Sequence, residues 1–325
     1  MDARQRLLGL FLLVVALVIM GPAVKCGAAQ GREKIKVLYP AVGSTSTPLY
    51  VALKEGFYAA ENLDVELILM ASALSVQAVL GGEAHFTAAA STVLPAILAG
   101  SGIKLVIITS NRPPWYLVSS PKVAAISDLK GKRIAIVNRR TLMELSGHDI
   151  VRQAGLDPDR EVIWVAVPGP GANRMSALVT GVVEAAILAS PDNYRVERQG
   201  FRRLKFVGEN KLIVGGVAAA SYLIQQRKDL VDRFVRATIR GLRFLVANRE
   251  KGVRAFQEFG KVSPEIAAVT YDALAPTFTD NGLTDEATMR ATIAKQAEVS
   301  GVKSLPAVEQ VYDLESVHRA LASLR

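Results

Sequence analysis

The chain has 325 residues, 39 Lys and Arg against 30 Asp and Glu, a formal net charge of +9, and an apolar content of 50%. That apolar content excludes a disordered chain, and the length suffices for two α/β units with a substantial core. The basic residues are scattered and form no stripe interleaved with aromatics, so a nucleic-acid partner is not expected.

In chain order, residues 1–29 come first. Arg4 and Arg6 precede an apolar run from Leu7 to Met20, and the small residues Gly27, Ala28 and Ala29 follow. This is the layout of a secretory signal peptide, with cleavage expected near Ala28. The alternative is an uncleaved membrane anchor, for which the run falls short of the ~20 residues a spanning helix needs. Cys26 is the sole cysteine. A lipoprotein signal would place small residues directly before it, where this chain has Lys25. Cleavage after Ala28 removes the thiol, and with it any disulfide, thiol catalysis or cysteine metal site.

Residues 30–114 form the expected first part of lobe one. Its strands are Ile35–Pro40, Val65–Met70, His85–Ala90 and Lys104–Ser110, with helical segments between them. Nearly continuous apolar strands of this kind belong to a parallel sheet covered on both faces. Asn111-Arg112-Pro113-Pro114 breaks the pattern, and Trp115–Ser119 reads as a strand crossing into a second lobe at 115–211. The strands of that lobe are Arg133–Asn138, Val162–Val167, Ala185–Ser190 and Phe201–Gly208. Leu212–Gln226 reads as a return crossing. From there residues 212–325 are helical, punctuated at Asn281-Gly282 and Leu305-Pro306, and are expected to complete lobe one.

A pattern occurs twice. Ser75–Ser91 and Arg174–Ser190 each give the end of an apolar helix, a glycine, an acidic residue, a short apolar strand and then small residues. The segments before them match as well, so a β-α-β-α-β block is used in both lobes. Two similar α/β lobes leave a cleft between them, the usual ligand position.

Lys36–Leu67 resembles the opening of the periplasmic substrate-binding proteins that serve thiamine-precursor, sulfonate, taurine and nitrate ABC importers. Ala177–Pro191 and Val311–Leu321 carry the same likeness, which extends over roughly residues 33–321. The resemblance implies an α/β, two-lobed type II periplasmic binding protein fold, each lobe a mostly parallel sheet flanked by helices, with two crossing segments. It implies a small-molecule ligand, an ABC permease and its ATPase as partners, a monomer in the periplasm, no cofactor and no enzymatic activity. One departure stands out. Many relatives have glycine and serines after the first strand of lobe two, where this chain has Asn138-Arg139-Arg140-Thr141. Two other readings use the same fold: a sensory protein docking on a receptor, and an enzyme of the thiamine-pyrimidine or menaquinone-pathway type. The cysteine-rich motif of the pyrimidine synthase is missing here.

Candidate ligand contacts follow from the loops that join each lobe's first strand to its helix. In lobe one, Ser44, Thr45, Ser46 and Thr47 precede Pro48, and free N–H groups at a helix start attract anions. In lobe two, Arg139 or Arg140 can clamp a carboxylate or sulfonate, beside Thr141. Consecutive residues point apart, so at most one of the two faces the cleft. Ser72, Ser91, Asn111, Asn173, Asp192 and Tyr194 complete the polar set at strand ends and helix starts, and Trp115 offers a stacking face. His85, His148 and His318 stand far apart without partners at metal-ligand spacing, so no metal is expected.

Overall fold

The apolar runs fold into two five-stranded sheets. The computed structural model describes residues 31–40 and 45–324, so the expected signal segment lies outside the described residues. The first sheet holds β1 (Glu33–Tyr39), β2 (Leu63–Leu69), β3 (Phe86–Thr87), β4 (Ile103–Ser110) and β10 (Gly215–Ala220), in the order β2-β1-β3-β10-β4. The second holds β5 (Trp115–Ser119), β6 (Arg133–Ile136), β7 (Ile163–Ala166), β8 (Ala185–Ala189) and β9 (Arg202–Phe206), in the order β7-β6-β8-β5-β9.

The two orders are the same plan. In each sheet the first strand of the lobe pairs in parallel with its second and third strands, and a strand from the crossing enters antiparallel beside the third. The crossing strands are exchanged: β5 leaves the first lobe to join the second sheet, and β10 returns to the first. The fold is α/β and two-lobed. The return segment expected as a single crossing is strand over Gly215–Ala220 and helix over Ser221–Gln226. The expected strand His85–Ala90 pairs only at Phe86 and Thr87, because Ala90 already opens a helix that runs to Leu98.

Two stretches of chain run side by side between the lobes. The amide of Leu212 donates to the Asn111 carbonyl at 3.0 Å, and that of Val214 to the Ser110 carbonyl at 3.1 Å. Gly208 sits against the other strand of this pair: a Cβ there would lie 2.5 Å from the Pro113 carbonyl oxygen, so only glycine permits the approach. Two-stranded connections of this kind permit closure of one lobe on the other with few residues changing conformation.

The core of lobe one is built around the helix Lys228–Ala247. Phe234 on that helix stacks on Phe86 at 3.9 Å between centroids and on Tyr58 at 5.4 Å. Val317 and Ala320 of the last helix join the same cluster, which places the helical tail on the first sheet. Truncating a fully buried phenylalanine such as Phe234 to alanine costs ~3–5 kcal/mol. Among the described residues, no helix is long and apolar enough to cross a membrane.

Candidate functional site

The cleft between the sheets holds a cavity of about 710 Å³, within the ~300–1,000 Å³ range of small-molecule sites. Lobe one supplies Thr45, Ser72, Ser91, Thr92 and Pro95. Lobe two supplies Trp115, Val137, Asn138, Arg140, Thr141, Leu142, Met143, Ala189 and Ser190. Pro114 and Val214 come from the paired crossings, and Leu274, Gln296 and Val299 from the helical tail. Most of these residues lie just beyond the carboxyl ends of parallel strands, where open α/β sheets bind their ligands.

In lobe one, β1 leads to the helix Thr47–Lys54, which has Pro48 in its first turn. The expected run of hydroxyls divides. Thr45 lines the cavity, whereas Ser46 and Thr47 are buried in the packed interior at 1% and 0% exposure. Ser44 lies outside the described residues. Ser72 opens the helix after β2, and Ser91 lies in the first turn of the helix after β3. Both line the cavity.

In lobe two, β6 leads through Val137–Arg140 to the helix Leu142–Gln153. Thr141 caps that helix: its Oγ1 accepts the Glu144 N–H at 3.3 Å and donates to the Asn138 carbonyl at 3.0 Å. The Glu144 carboxylate reaches back and accepts the backbone N–H of Arg140. Thr-x-x-Glu is a capping-box pattern, here shifted so that the glutamate serves the residue before the cap. The two arginines part at this point. Arg139 Nε lies 2.6 Å from Glu144 Oε1, and Arg139 Nη1 donates to the Trp164 carbonyl at 3.4 Å, so its guanidinium is turned away from the cavity wall. Arg140 has a left-handed backbone, φ +55°, and its side chain lines the cavity. Among the described lining residues Arg140 is the only one with a charged side chain, and no carboxylate of the described residues forms an ion pair with it.

Behind the loop, Gly147 lets Trp164 pack against the helix, since a Cβ would lie 2.7 Å from its ring. Trp164 Nε1 donates to the Pro158 carbonyl at 2.8 Å, and its ring sits 4.9 Å from that of His148. Burial pushes the His148 imidazole below its ordinary pKa, against the opposing pull of Glu144 at 3.7 Å and Asp159 at 3.9 Å. His85 is half-buried and its Nδ1 accepts the Lys36 N–H at 3.1 Å, with burial again lowering its pKa.

Four expected contacts are placed elsewhere. Asn111 belongs to the paired crossings: its Nδ2 donates to Thr284 Oγ1 at 3.0 Å, and its amide to the Thr277 carbonyl. Asn173 donates from Nδ2 to the Pro168 carbonyl at 3.0 Å, closing its own loop. Asp192 pairs with Arg195 at 3.0 Å and lies against the start of the helix Gly171–Val179, where a Cβ on Gly171 would come within 2.2 Å of its carboxylate. Tyr194 donates to Glu265 Oε1 at 2.9 Å. Conversely, Asn138, Ser190 and Gln296 are polar lining residues that the sequence reading left out, as are the apolar Met143, Leu274 and Val299. Asn138 and Ser190 stand beside expected contacts, so their strand-end positions signalled them. Gln296 lies in a helical tail with no such signal.

Polar contacts between the lobes flank the cleft, among them the following. Lys295 Nζ of the tail helix Glu286–Ser300 lies 2.6 Å from an Asp149 carboxylate oxygen of lobe two. Glu265 of the helix Pro264–Leu274 receives Tyr194 and lies 3.5 Å from Arg198.

Residues 44–251 match the family described as NMT1/THI5 like. The riboflavin-binding protein RibY of Chloroflexus aurantiacus is 28% identical over 228 residues, covering 63% of this chain and 60% of that protein. This chain thus matches three fifths of its relative's length. The fold is similar to that of a putative periplasmic sulfonate-binding protein, SsuA, from Methylobacillus flagellatus, with a TM-score of 0.74, 20% identity, and coverage of 91% of this chain and 96% of that one. It is also similar to the desulfurization enzyme DSZB, with a TM-score of 0.68, 17% identity, and coverage of 90% of this chain and 100% of that one.

Proposed function

The chain belongs to the NMT1/THI5-like family, and on that premise we propose that it is an exported solute-binding protein that captures an amphipathic organic anion in the interlobe cleft and delivers it to an ABC-type permease. One observation carries this reading. A cavity of about 710 Å³, lined by apolar, hydroxyl and amide side chains, has one residue with a charged side chain, Arg140, among its described lining residues. Arginine offers two parallel N–H groups to a carboxylate, sulfonate or phosphate, and hydrogen bonds to charged groups contribute ~1.5–3 kcal/mol each. The cleft is roomier than nitrate or taurine needs, which suits a ligand with a larger apolar body. Trp115 supplies a flat face for that body. Thr45, Ser72, Ser91, Asn138, Thr141, Ser190 and Gln296 are placed to satisfy its remaining polar atoms. Sulfonate-binding and riboflavin-binding relatives support the two halves of this description, an anionic end and a planar body.

A binding role is favoured over catalysis by the chemistry of the lining. Among the described residues that line it there is no cysteine, histidine or carboxylate to act as nucleophile or base. The fold alone does not decide, since DSZB is an enzyme of the same architecture. A sensory partner in place of the permease is distinguished by the neighbouring genes: a permease and an ATPase gene beside this one support transport.

The test is a melting-shift screen of the mature protein against aromatic sulfonates, aromatic carboxylates, riboflavin, short alkanesulfonates and nitrate. A ligand at 100 times its Kd adds ~2.7 kcal/mol of stability. Aromatic anions are expected to give the largest shift. A response to nitrate or taurine alone would refute the size argument, and a best ligand without any anionic group would refute the role of Arg140.

A further inference from the structure

Glu144 does not line the cleft, yet it touches Arg139, Arg140 and Thr141 of the loop that carries the cleft's charge. Its side chain is buried, at 3% exposure for the residue. A carboxylate in such a place is costly unless paired and hydrogen-bonded. Two groups compensate the carboxylate: Arg139 Nε stands 2.6 Å from Oε1 as an ion pair, and Oε2 accepts the Arg140 N–H, while Oε1 has no aligned hydrogen-bond donor among the described residues. The Glu144 amide is separately held by Thr141 Oγ1. A non-glycine residue rarely adopts φ > 0 unless its surroundings fix it, and Arg140 does so at +55° while its N–H is taken by Glu144.

We propose that Glu144 is the positioning residue of the cleft: by neutralising Arg139 and holding the Arg140 N–H in a left-handed turn, it makes the loop present one positive charge to the ligand rather than two or none. The inference rests on the reading of Arg140 as the anion contact. It assigns the site a preference for monoanions, because the second guanidinium is already occupied inside the protein.

The test has a ligand-free arm and a ligand arm. Hydrogen exchange is followed over residues 138–144 of the mature protein and of its Glu144→Ala and Glu144→Gln variants. In Glu144→Ala, exchange at the Arg140 amide is expected to rise roughly tenfold or more, with the strands of lobe two unchanged. Glu144→Gln, which keeps an acceptor oxygen but not the charge, falls between. Unchanged exchange over 138–144, or an acceleration spread through lobe two, would overturn the proposal. In the second arm, affinities for naphthalene-2-sulfonate and naphthalene-2,6-disulfonate are measured. Wild type favours the monoanion, and Glu144→Gln, with Arg139 released, shifts the ratio toward the dianion. Glu144→Ala combined with Arg140→Ala binds the monoanion no worse than Arg140→Ala alone, whereas additive losses would mean that Glu144 acts independently of Arg140 and would overturn the positioning role. If Arg140→Ala itself leaves both affinities unchanged, the anion-contact reading fails, and the exchange arm still decides whether Glu144 holds the loop.

Discussion

The loops that follow β1 and β6 occupy equivalent places in a duplicated plan, and their chemistry differs. Lobe one offers the cleft a neutral wall of hydroxyls from Thr45, Ser72, Ser91 and Thr92. Lobe two offers Asn138, Arg140 and Thr141, with a buried carboxylate behind them. Duplication fixes where a ligand sits, because both loops lie at the carboxyl ends of parallel strands. On the proposed reading, divergence of the loops sets which ligand the cleft prefers. The charged wall is the more elaborately supported: Thr141 caps a helix, Glu144 closes the turn, and Trp164 and His148 pack beneath.

The contrast can be broken most severely at Arg140. Arg140→Ala is expected to weaken binding of an anionic ligand by ~10- to 100-fold, measured by calorimetry. Arg139→Ala, by contrast, is expected to lower thermal stability, because it strips the partner from a buried carboxylate, while affinity changes far less. Equal losses of affinity from both would erase the distinction between the two arginines.

On the neutral wall the effects are smaller. Ser91→Ala or Thr45→Val each removes one uncharged hydrogen bond, for an expected loss of ~2- to 10-fold in affinity. A loss as large as that at Arg140 would make the hydroxyl wall the principal anchor and reverse the comparison.

Between the walls stand the bridging contacts. Asp149→Asn removes the ion pair with Lys295, in which both side chains keep about a fifth of their surface exposed. The pair ties the tail helix to lobe two in the arrangement seen here, so its loss is expected to weaken ligand affinity by up to about fivefold. Small-angle scattering of the ligand-free variant is expected to show a more open particle. Identical profiles for variant and wild type would leave the pair no part in closure.

The smallest effect concerns pH. Burial holds His148 below its ordinary pKa, so the unfolded chain takes up a proton there before the folded one does. The stability associated with neutral His148 is complete above ~pH 6.5 and declines as pH falls toward the folded value. His148→Gln is expected to flatten the stability curve just below pH 6.5, as read by denaturant melts. An unaltered pH dependence would show that the imidazole is not desolvated behind the loop.

Much of this arrangement was legible in the sequence, and for physical reasons. Strands such as Ile103–Ser110 and Ala185–Ala189 are largely buried and so read as nearly continuous apolar runs. The repeated glycine stops exposed the duplication. Three features were not legible. Met143, Leu274 and Val299 line the cavity, but an apolar residue facing a cleft has the same local pattern as one facing the core. Asn111, Asn173, Asp192 and Tyr194 had suitable chemistry at suitable strand and helix ends, but hydrogen bonds to Thr284, Pro168 and Glu265 and an ion pair to Arg195 take up their side chains. The choice between Arg139 and Arg140 depends on a left-handed backbone at a residue that is not glycine, which no local propensity announces. The Thr141-x-x-Glu144 box was the one clue to it, since a glutamate at that spacing turns back on the chain.

The central claim is that an anionic end of the ligand rests on lobe two and its body is enclosed by both lobes. The most direct measurement is a crystal structure of the protein with the ligand that gives the largest melting shift. The account predicts its anionic group within ~3 Å of the Arg140 guanidinium, the Arg139 guanidinium still on Glu144, and an apolar body against Trp115. A ligand whose charge lies on the hydroxyl wall of lobe one, or one bound without contact to Arg140, would contradict it.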